Sequence, residues 1–400
     1  MHRSFFSKKA VLFSLVLLFT IYGCSNQANK DSINEVAKFV ENQVASDGRT
    51  AEFNAEILEE NGEFILQVET DQTTAEKLLK DELTKVGLKR VSLQVIMLPD
   101  TALGERTLAI IKNSVANIRY KPSYRAELVT QALLGTPVKV LKKKGGWYRI
   151  QTPDHYLGWT EGNRLQLMNE EEIAGWNSNS RAVVTRELTI MRKGDESDLP
   201  LKKAEPGSII HIDGKPVYGK VEVKLPDGSA GVASVDALRP FEDWISNRSF
   251  SQDQMLETAY GLLGRPYLWG GTTTKAMDCS GFTKMVYYLN GYQLPRDASQ
   301  QIKAGEFVSD SKENFSALGK GDFLFFGYKG ENGNPDRVVH VAIHIKDGRF
   351  INAAGEIKIE SLNPEHDDFN KYRHKTFLQA RNMTPLEGES LIEPVERVLN

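Results

Sequence analysis

Cys279 has the pattern of a nucleophile placed at the start of a helix. Apolar residues follow it at helical spacing: Phe282, Met285, Val286 and Leu289. Asp278, directly before it, is a good N-cap. The free N–H groups and dipole of a first helical turn stabilise a thiolate, so we expect a lowered pKa for Cys279, with Asp278 acting in the opposite direction. The alternative is a buried structural cysteine.

A thiolate nucleophile needs a base that later protonates the leaving amine, and histidine suits that role. The candidates that follow the cysteine are His340, His344, His366 and His374. Alternation predicts a strand over residues 338–345, an Asp347-Gly348 turn and a return strand. His340 lies at the entrance of the first strand. Across this hairpin Asn352 can reach the imidazole and fix its tautomer; the alternative for Asn352 is a hydrogen bond at the turn end.

Length and charge exclude some classes of protein. The 400 residues are too many for one ordinary domain and predict two to four compact units. The net charge of −3 supplies no electrostatic reason to expect nucleic acid as a partner. The histidines are scattered and no cysteine cluster exists, so we expect neither a metal site nor a cofactor.

The N-terminus has the pattern of an export signal. Arg3, Lys8 and Lys9 precede an apolar run over residues 10–21 that is too short to span a bilayer. The residues before Cys24 resemble the lipobox of bacterial lipoproteins, which implies a lipid anchor on Cys24 in the cell envelope. Tyr22 is unusual in that motif, so a conventional cleaved signal is the alternative. With Cys24 lipidated, Cys279 has no disulfide partner and remains a free thiol.

Patterning divides the chain into a signal (1–24), a small α+β unit (25–103), two β modules (104–170 and 171–245), a catalytic domain (246–384) and a surface tail (385–400). The first unit carries predicted strands over 64–68 and 91–98 and a helix over 74–86, capped by Thr73 or Thr74, after a polar tether over 25–32. The catalytic domain is predicted to open with a helix over 252–263, which Ser251 caps and Gly264 ends. The face of this helix that contains Leu263 is expected to be buried.

The two β modules resemble each other. Each has a glycine before a first strand, a second strand, a Pro-Asp turn and a further glycine, as in Gly135 to Gly158 and Gly207 to Gly231. This shared order predicts an internal duplication of small β-barrels. The pattern is similar to bacterial SH3-type modules. The polar run over residues 177–180 is the predicted linker between them.

The catalytic domain resembles the NlpC family of cell-wall cysteine peptidases over about residues 251–382. The motifs that carry the resemblance are, in order, Pro266-Tyr267-Leu268-Trp269-Gly270-Gly271, Asp278-Cys279-Ser280-Gly281-Phe282, Leu294-Pro295-Arg296, Gly321-Asp322-Phe323-Leu324-Phe325-Phe326 and His340-Val341-Ala342-Ile343. The resemblance implies an α+β, papain-like fold with the cysteine helix on an antiparallel sheet. It also implies cleavage of the γ-D-glutamyl bond to diaminopimelate or lysine in murein peptides.

The resemblance assigns roles to several residues. Cys279 matches the nucleophile, His340 the base and Asn352 a third polar position that many members fill with histidine. The hydroxyl of Tyr267 and the N–H of Cys279 are the expected oxyanion donors. Trp269 is expected to line the substrate pocket, and packing alone is the alternative for both aromatic residues.

The architecture is similar to a narrower branch, in which two SH3-type modules precede a peptidase that acts on murein peptides with free N-terminal L-alanine. In that branch the aspartate before the cysteine binds the substrate ammonium, and Asp278 matches it; helix capping is the alternative. Ser280 is expected to contact the bound dipeptide, and Ser299 is a substrate serine displaced by one position. Tyr156, from the first module, is expected to line the site.

The export signal and the thiol chemistry predict an exported cysteine peptidase, and the resemblance implies that it is a monomer that releases L-Ala-D-Glu from murein peptides during cell-wall peptide recycling. A hydrolase of intact cross-linked peptidoglycan is the second hypothesis, with the modules acting as wall binders. An inactive wall-binding lipoprotein is the third, and an acyltransferase on the same fold is a weaker fourth.

Overall fold

The computed structural model describes residues 29–400 except 89, 179, 247–248, 332–334, 387–390 and 400. The predicted signal and the lipidation site Cys24 lie outside the described residues. The chain divides into two compact units, one ending at Thr101 and one beginning at Ala102. Among the described helices, none is long and apolar enough to cross a membrane.

The first unit is a three-stranded sheet covered by two helices. Its elements are α1 (residues 29–44), β1 (Phe53–Glu60), β2 (Glu63–Thr70), α2 (Ala75–Lys85) and β3 (Val91–Met97). The central strand β2 pairs antiparallel with β1 and parallel with β3. The two predicted strands and the predicted helix are present. The tether was predicted too long, because α1 already includes residues 29–32, and Thr74 caps α2 without a side-chain hydrogen bond.

Two seven-stranded β modules, barrel 1 and barrel 2, open the second unit. Barrel 1 consists of β4 (Leu108–Ile111), β5 (Val115–Arg119), β6 (Leu128–Leu133), β7 (Pro137–Lys144), β8 (Trp147–Gln151), β9 (Leu157–Glu161) and β10 (Leu165–Met168). Barrel 2 consists of β11 (Arg181–Val184), β12 (Leu188–Met191), β13 (Pro200–Ala204), β14 (Ile209–Val217), β15 (Lys220–Lys224), β16 (Ala230–Ser234) and β17 (Leu238–Pro240).

The strand orders of the two barrels are identical. Barrel 1 has the order β10-β4-β7-β8-β9-β5-β6, and barrel 2 has β17-β11-β14-β15-β16-β12-β13. Numbered from the start of each module, both read 7-1-4-5-6-2-3, which agrees with the predicted duplication. The predicted linker is wrong at Asn177 and Ser178, because helix α3 (Glu170–Ser178) continues through them and buries Trp176.

The catalytic domain packs helices against an antiparallel sheet. Its helices are α4 (Phe241–Ser246), α5 (Gln252–Tyr260), α6 (Cys279–Leu289), α7 (Ala298–Gln301), α8 (Lys371–Thr376) and α9 (Val395–Leu399). Its strands are β18 (Thr272–Thr273), β19 (Ala276–Met277), β20 (Tyr292–Gln293), β21 (Glu306–Ser309), β22 (Phe323–Tyr328), β23 (Arg337–Lys346), β24 (Arg349–Ala354), β25 (Glu356–Ser361), β26 (Phe377–Asn382) and β27 (Glu393–Pro394).

The six-stranded sheet has the order β21-β26-β22-β23-β24-β25 and is buried on both faces. Val341 and Ile343 of β23 pack in the same apolar cluster as α6, whereas Ala342 packs with Phe326 and Phe350 on the opposite face. This alternation is the one that the sequence predicts for β23. It places His340 on the side of the sheet away from the main body of α6.

Two expectations for this domain are wrong. Ser251 caps α5 by accepting a hydrogen bond from Gln254 N–H, but the helix ends at Tyr260 and Leu263 is exposed. The C-terminal segment is not a surface tail. Strand β27 pairs with β20, and α9 buries Val395 and Leu399 in the main core, because its apolar side chains complete the cluster around α6.

Candidate active site

Cys279 is the first residue of α6, as the sequence predicts. The Asp278 side chain accepts a hydrogen bond from Gly281 N–H at 2.7 Å, so the aspartate is a true N-cap. The thiol is buried at 8% exposure, and the backbone N–H groups of Val341 and Ser280 are its hydrogen-bond donors. Because Val341 directly follows His340, this contact places the thiol against the strand that carries the predicted base.

The expected lowering of the Cys279 pKa is wrong. Burial first, and the neighbouring Asp278 charge second, raise the pKa of Cys279 to about 11 despite the two N–H donors and the cationic Arg296. Removal of the thiol from water disfavours the thiolate more than the first helical turn stabilises it. The thiol is therefore neutral at physiological pH in the substrate-free protein.

His340 and Asn352 lie together across the β23–β24 hairpin. The imidazole Nε2 is 2.8 Å from the Asn352 carboxamide oxygen, which therefore accepts its N–H. The Asn352 amide nitrogen donates in turn to Glu360 Oε2 at 3.0 Å on β25. The carboxylate acceptor sets which way the carboxamide points, and the carboxamide sets the imidazole tautomer. Nδ1 of His340 is the nitrogen left to take a proton from the thiol.

His340 is a neutral base in the resting site. Burial, together with the positive charge of Arg373, lowers the pKa of His340 to about 3, and the hydrogen bond to Asn352 only partly opposes this. Between about pH 3 and pH 11 the pair is neutral thiol and neutral imidazole. Proton transfer must then accompany nucleophilic attack. His344 lies on the same strand, and its Nδ1 pairs with the Gly319 carbonyl at 2.7 Å, a structural contact.

Tyr267 is half-buried near the nucleophile. Burial raises its pKa, and the negative charges of Cys279 and Asp278 act in the same direction, so its hydroxyl keeps its proton. Within the described residues this hydroxyl makes no hydrogen bond with the protein. A protonated, available hydroxyl and the N–H of the first residue of α6 are suitable donors to an oxyanion.

Asp278 already has a cationic partner inside the protein, and its binding of the substrate ammonium stays a prediction. Arg296, only 1% exposed, donates to Asp278 from Nη1 at 3.0 Å and from Nη2 at 2.6 Å. Asp278 also accepts hydrogen bonds from the N–H groups of Gly270 and Gly281 and from the Ser280 hydroxyl. A substrate ammonium that binds Asp278 must therefore share a carboxylate that already pairs with a buried guanidinium.

Ser280 and Ser299 differ in their surroundings. Ser280 is buried between Asp278 and Arg296, and Arg296 Nη1 donates to its hydroxyl at 3.1 Å. Ser299 lies half-buried on α7, two positions after Asp297. The substrate contacts of both serines stay predictions.

Barrel 1 brings two side chains, those of Tyr156 and Glu127, to this region. The Tyr156 hydroxyl donates to Asp297 Oδ2 at 3.0 Å, across 141 residues of sequence. Trp269, 63% exposed, donates from its indole N–H to Glu127 Oε1 at 2.7 Å. The site is therefore bordered by barrel 1 on the side of Tyr156 and Trp269. A buried ion pair between Lys284 of α6 and Asp154 holds the barrel 1 loop that carries Tyr156.

Sequence reasoning missed four residues of the site: Glu127, Arg296 as the partner of Asp278, Asp297 and Glu360. The sequence around Pro295-Arg296-Asp297 was recognised as a motif, but its two charged residues were given no role. A buried arginine needs a carboxylate partner, so a partner for Arg296 could have been expected. No local signal identifies Glu127, because its contact depends on how the barrel docks. The described residues contain no cluster of histidine, cysteine and carboxylate side chains that could hold a metal.

Comparison with known proteins agrees with this geometry. The model of the NlpC/P60 family matches residues 264–380, and that of the bacterial dipeptidyl-peptidase SH3 domain matches 118–165. The chain is 30% identical over 259 residues to the γ-D-glutamyl-L-lysine dipeptidyl-peptidase of Bacillus cereus, covering 59% of this chain and 71% of that one. The chain belongs to the NlpC/P60 family. It is a cysteine peptidase of that family with an SH3 domain before its catalytic domain.

Other relatives extend the comparison of this NlpC/P60 peptidase. It is 26% identical to dipeptidyl-peptidase 6 of Lysinibacillus sphaericus, covering 64% of this chain and 93% of that one. A crystal structure of an NlpC/P60 family protein from Bacillus cereus superposes with a TM-score of 0.59 at 23% identity, covering 70% of this chain and 100% of that one. The latter likeness confirms the fold.

Proposed function

We propose that this NlpC/P60 peptidase hydrolyses the γ-D-glutamyl bond to a diamino acid in murein peptides with free N-terminal L-alanine, releasing L-Ala-D-Glu. The observation that carries the proposal is the border that barrel 1 forms through Tyr156–Asp297 and Trp269–Glu127. A hydroxyl and two carboxylates at this border suit an ammonium group. The names of the Bacillus cereus and Lysinibacillus relatives support the same reaction.

The first half of the reaction forms a thioester. His340 Nδ1 takes the thiol proton as Sγ of Cys279 bonds to the glutamyl γ-carbonyl carbon, and the N–H groups of Val341 and Ser280 stabilise the developing thiolate. Tyr267 and the Cys279 N–H donate to the oxyanion. His340 then gives its proton to the diamino-acid nitrogen as the carbon–nitrogen bond breaks.

The second half releases the dipeptide. Water loses a proton to His340 as its oxygen attacks the thioester carbon, and the carbon–sulfur bond breaks. The imidazolium returns the proton to Sγ, which restores the neutral pair. Asn352 accepts the Nε2 N–H throughout and stabilises the transient imidazolium.

The test compares L-Ala-γ-D-Glu-diaminopimelate with its N-acetylated form by mass spectrometry of the products. We expect release of L-Ala-D-Glu from the free amine only. Asp297→Asn and Glu127→Gln should raise KM for the free peptide by about 10-fold or more, as expected for loss of a charge-assisted contact. Glu105→Gln, an exposed change in the second unit, is the matched control. Equal cleavage of the acetylated peptide contradicts the proposal.

The rival function, hydrolysis of intact peptidoglycan, is tested with purified sacculi in parallel. A peptidase bordered by barrel 1 should release products from free peptides and leave cross-linked sacculi intact. Cleavage of sacculi without cleavage of free tripeptide favours the rival.

We also propose that the protein is exported and anchored to the cell envelope through lipid on Cys24, and that it acts as a monomer. The support is the charged start, the short apolar run and the lipobox-like residues before Cys24. Metabolic labelling with a palmitate analogue should mark the wild-type protein and not Cys24→Ser. Unlabelled protein in the culture medium contradicts anchoring and leaves the conventional signal.

A further inference from the structure

Arg373 of α8 is a cation in the active-site region that the reaction scheme leaves without a role. Its guanidinium carbon lies 5.5 Å from the ring centroid of Phe326. Phe326 is the cross-strand partner of His340, and the two rings are 5.7 Å apart. The guanidinium is therefore one aromatic ring away from the catalytic base.

The charge of Arg373 acts on the reacting groups. It lowers the pKa of His340, and it opposes the burial that raises the pKa of Tyr267. The negative charge of a Cys279 thiolate acts back on Arg373. These mutual effects agree with the ring geometry in placing the guanidinium beside the catalytic groups.

Within the described residues, the Arg373 guanidinium makes no ion pair and no hydrogen bond; its contacts are with the Phe326 and Tyr372 rings. Glu360 is the nearby protein carboxylate whose charge acts on it, but Glu360 accepts hydrogen bonds from Asn352 and Asn370. Arg296 differs, because both of its Nη atoms donate to Asp278. A half-buried arginine that rests on aromatic rings presents its five donors to a ligand.

We propose that Arg373 binds the α-carboxylate of the leaving diamino acid. The inference rests on the proposed function, which directs the amino end of the substrate towards barrel 1, on the side of Tyr156 and Trp269. Arg373 lies on the His340 side, where the leaving nitrogen must receive its proton. The α-carboxylate is attached to the carbon that bears this nitrogen, so the base and the cation contact neighbouring groups of one residue.

A consequence for specificity follows. A tripeptide ends in this carboxylate, whereas a longer stem peptide has an amide at the same position. A guanidinium donates to both but pairs electrostatically with the carboxylate alone. The enzyme should therefore prefer peptides that end at the diamino acid.

The experiment uses L-Ala-γ-D-Glu-L-Lys, its C-terminal amide, and the peptide with the D-Glu α-carboxylate amidated. Wild type should cleave the free acid about 10- to 100-fold faster in kcat/KM than the C-terminal amide. Arg373→Met keeps the aliphatic part of the side chain against Phe326. It should lower kcat/KM for the free acid by the same factor and leave kcat/KM for the C-terminal amide unchanged. Arg373→Lys should restore part of the preference for the free acid. Lys371→Met, on the same helix, should leave kcat/KM for all three peptides unchanged.

Each contrary result has its own meaning. Equal wild-type rates on the free acid and the C-terminal amide overturn the inference, as does a preference that persists in Arg373→Met. A preference that instead follows amidation of D-Glu overturns the assignment to the leaving group. Failure to cleave these three peptides and also L-Ala-γ-D-Glu-diaminopimelate overturns the proposed function itself.

Discussion

The Asn352 carboxamide joins the catalytic base to a carboxylate, with its oxygen 2.8 Å from Nε2 of His340 and its nitrogen 3.0 Å from Oε2 of Glu360. Asparagine orients the base without carrying a charge. Burial therefore outweighs the hydrogen bond to Asn352 and lowers the pKa of His340 to about 3. The chain thus keeps a neutral base where an acidic third residue would favour an imidazolium.

The first prediction concerns this third residue. Asn352→Ala should lower kcat about 10- to 100-fold, because His340 loses its orienting acceptor. Asn352→Asp places a negative charge on the imidazole and should raise the pKa of His340, so an acid limb should appear in the pH profile of kcat/KM near neutrality. The wild type, with a His340 pKa of about 3, should lack that limb. An unchanged profile in Asn352→Asp contradicts this account.

The second prediction concerns the thiol. The pKa of Cys279 is raised to about 11. Below that pH, the thiolate fraction increases about tenfold for each unit by which the pH rises. Iodoacetamide should therefore alkylate the native protein at a rate that rises steadily to at least pH 10. Unfolded protein, with an ordinary thiol, should level off earlier, and Cys279→Ala should not react. A constant native rate from pH 5 to pH 9 would reveal a preformed thiolate–imidazolium pair.

The third prediction concerns the buried pair of Asp278 and Arg296. Asp278→Asn removes the bidentate anion of a 1% exposed guanidinium, leaves only Asp297 at 4.0 Å, and should cost about 3–5 kcal/mol of unfolding free energy. Urea denaturation measures this. Lys320→Met, which breaks the exposed pair with Asp253, should cause no measurable change. A stable Asp278→Asn protein that loses only amine recognition supports the substrate-binding role instead.

The fourth prediction separates barrel docking from backbone strain. Gly270 and Gly264 both have positive φ, at 76° and 75°, so alanine at either costs about 1–2 kcal/mol. A Cβ on Gly270 would also lie 2.2 Å from the Leu128 carbonyl of barrel 1, whereas Gly264 faces open space. Gly270→Ala should raise KM by displacing Trp269 from Glu127, and Gly264→Ala should leave KM unchanged. Equal KM values would mean that barrel 1 contributes nothing to binding.

Local periodicity was sufficient for the catalytic elements. The helix that begins at Cys279 and the hairpin that joins His340 to Asn352 both follow from side-chain alternation over a dozen residues or fewer. The same logic failed at the C-terminus, where α9 was predicted as a surface tail. Short apolar segments do not reveal whether a core has room for them.

By itself the sequence predicted the nucleophile, the base and its orienting asparagine, since these depend on spacing within one helix and one hairpin. It also predicted the duplicated barrels, from the repeated order of glycines, strands and turns. Only the tertiary structure decided that Arg296 pairs with Asp278, that Glu127 contacts Trp269, and that Arg373 lies near His340. It also decided the direction of the Cys279 pKa. These features depend on burial and on side chains brought together from up to 142 residues apart. Desolvation and long-range docking leave no periodic signal in a sequence.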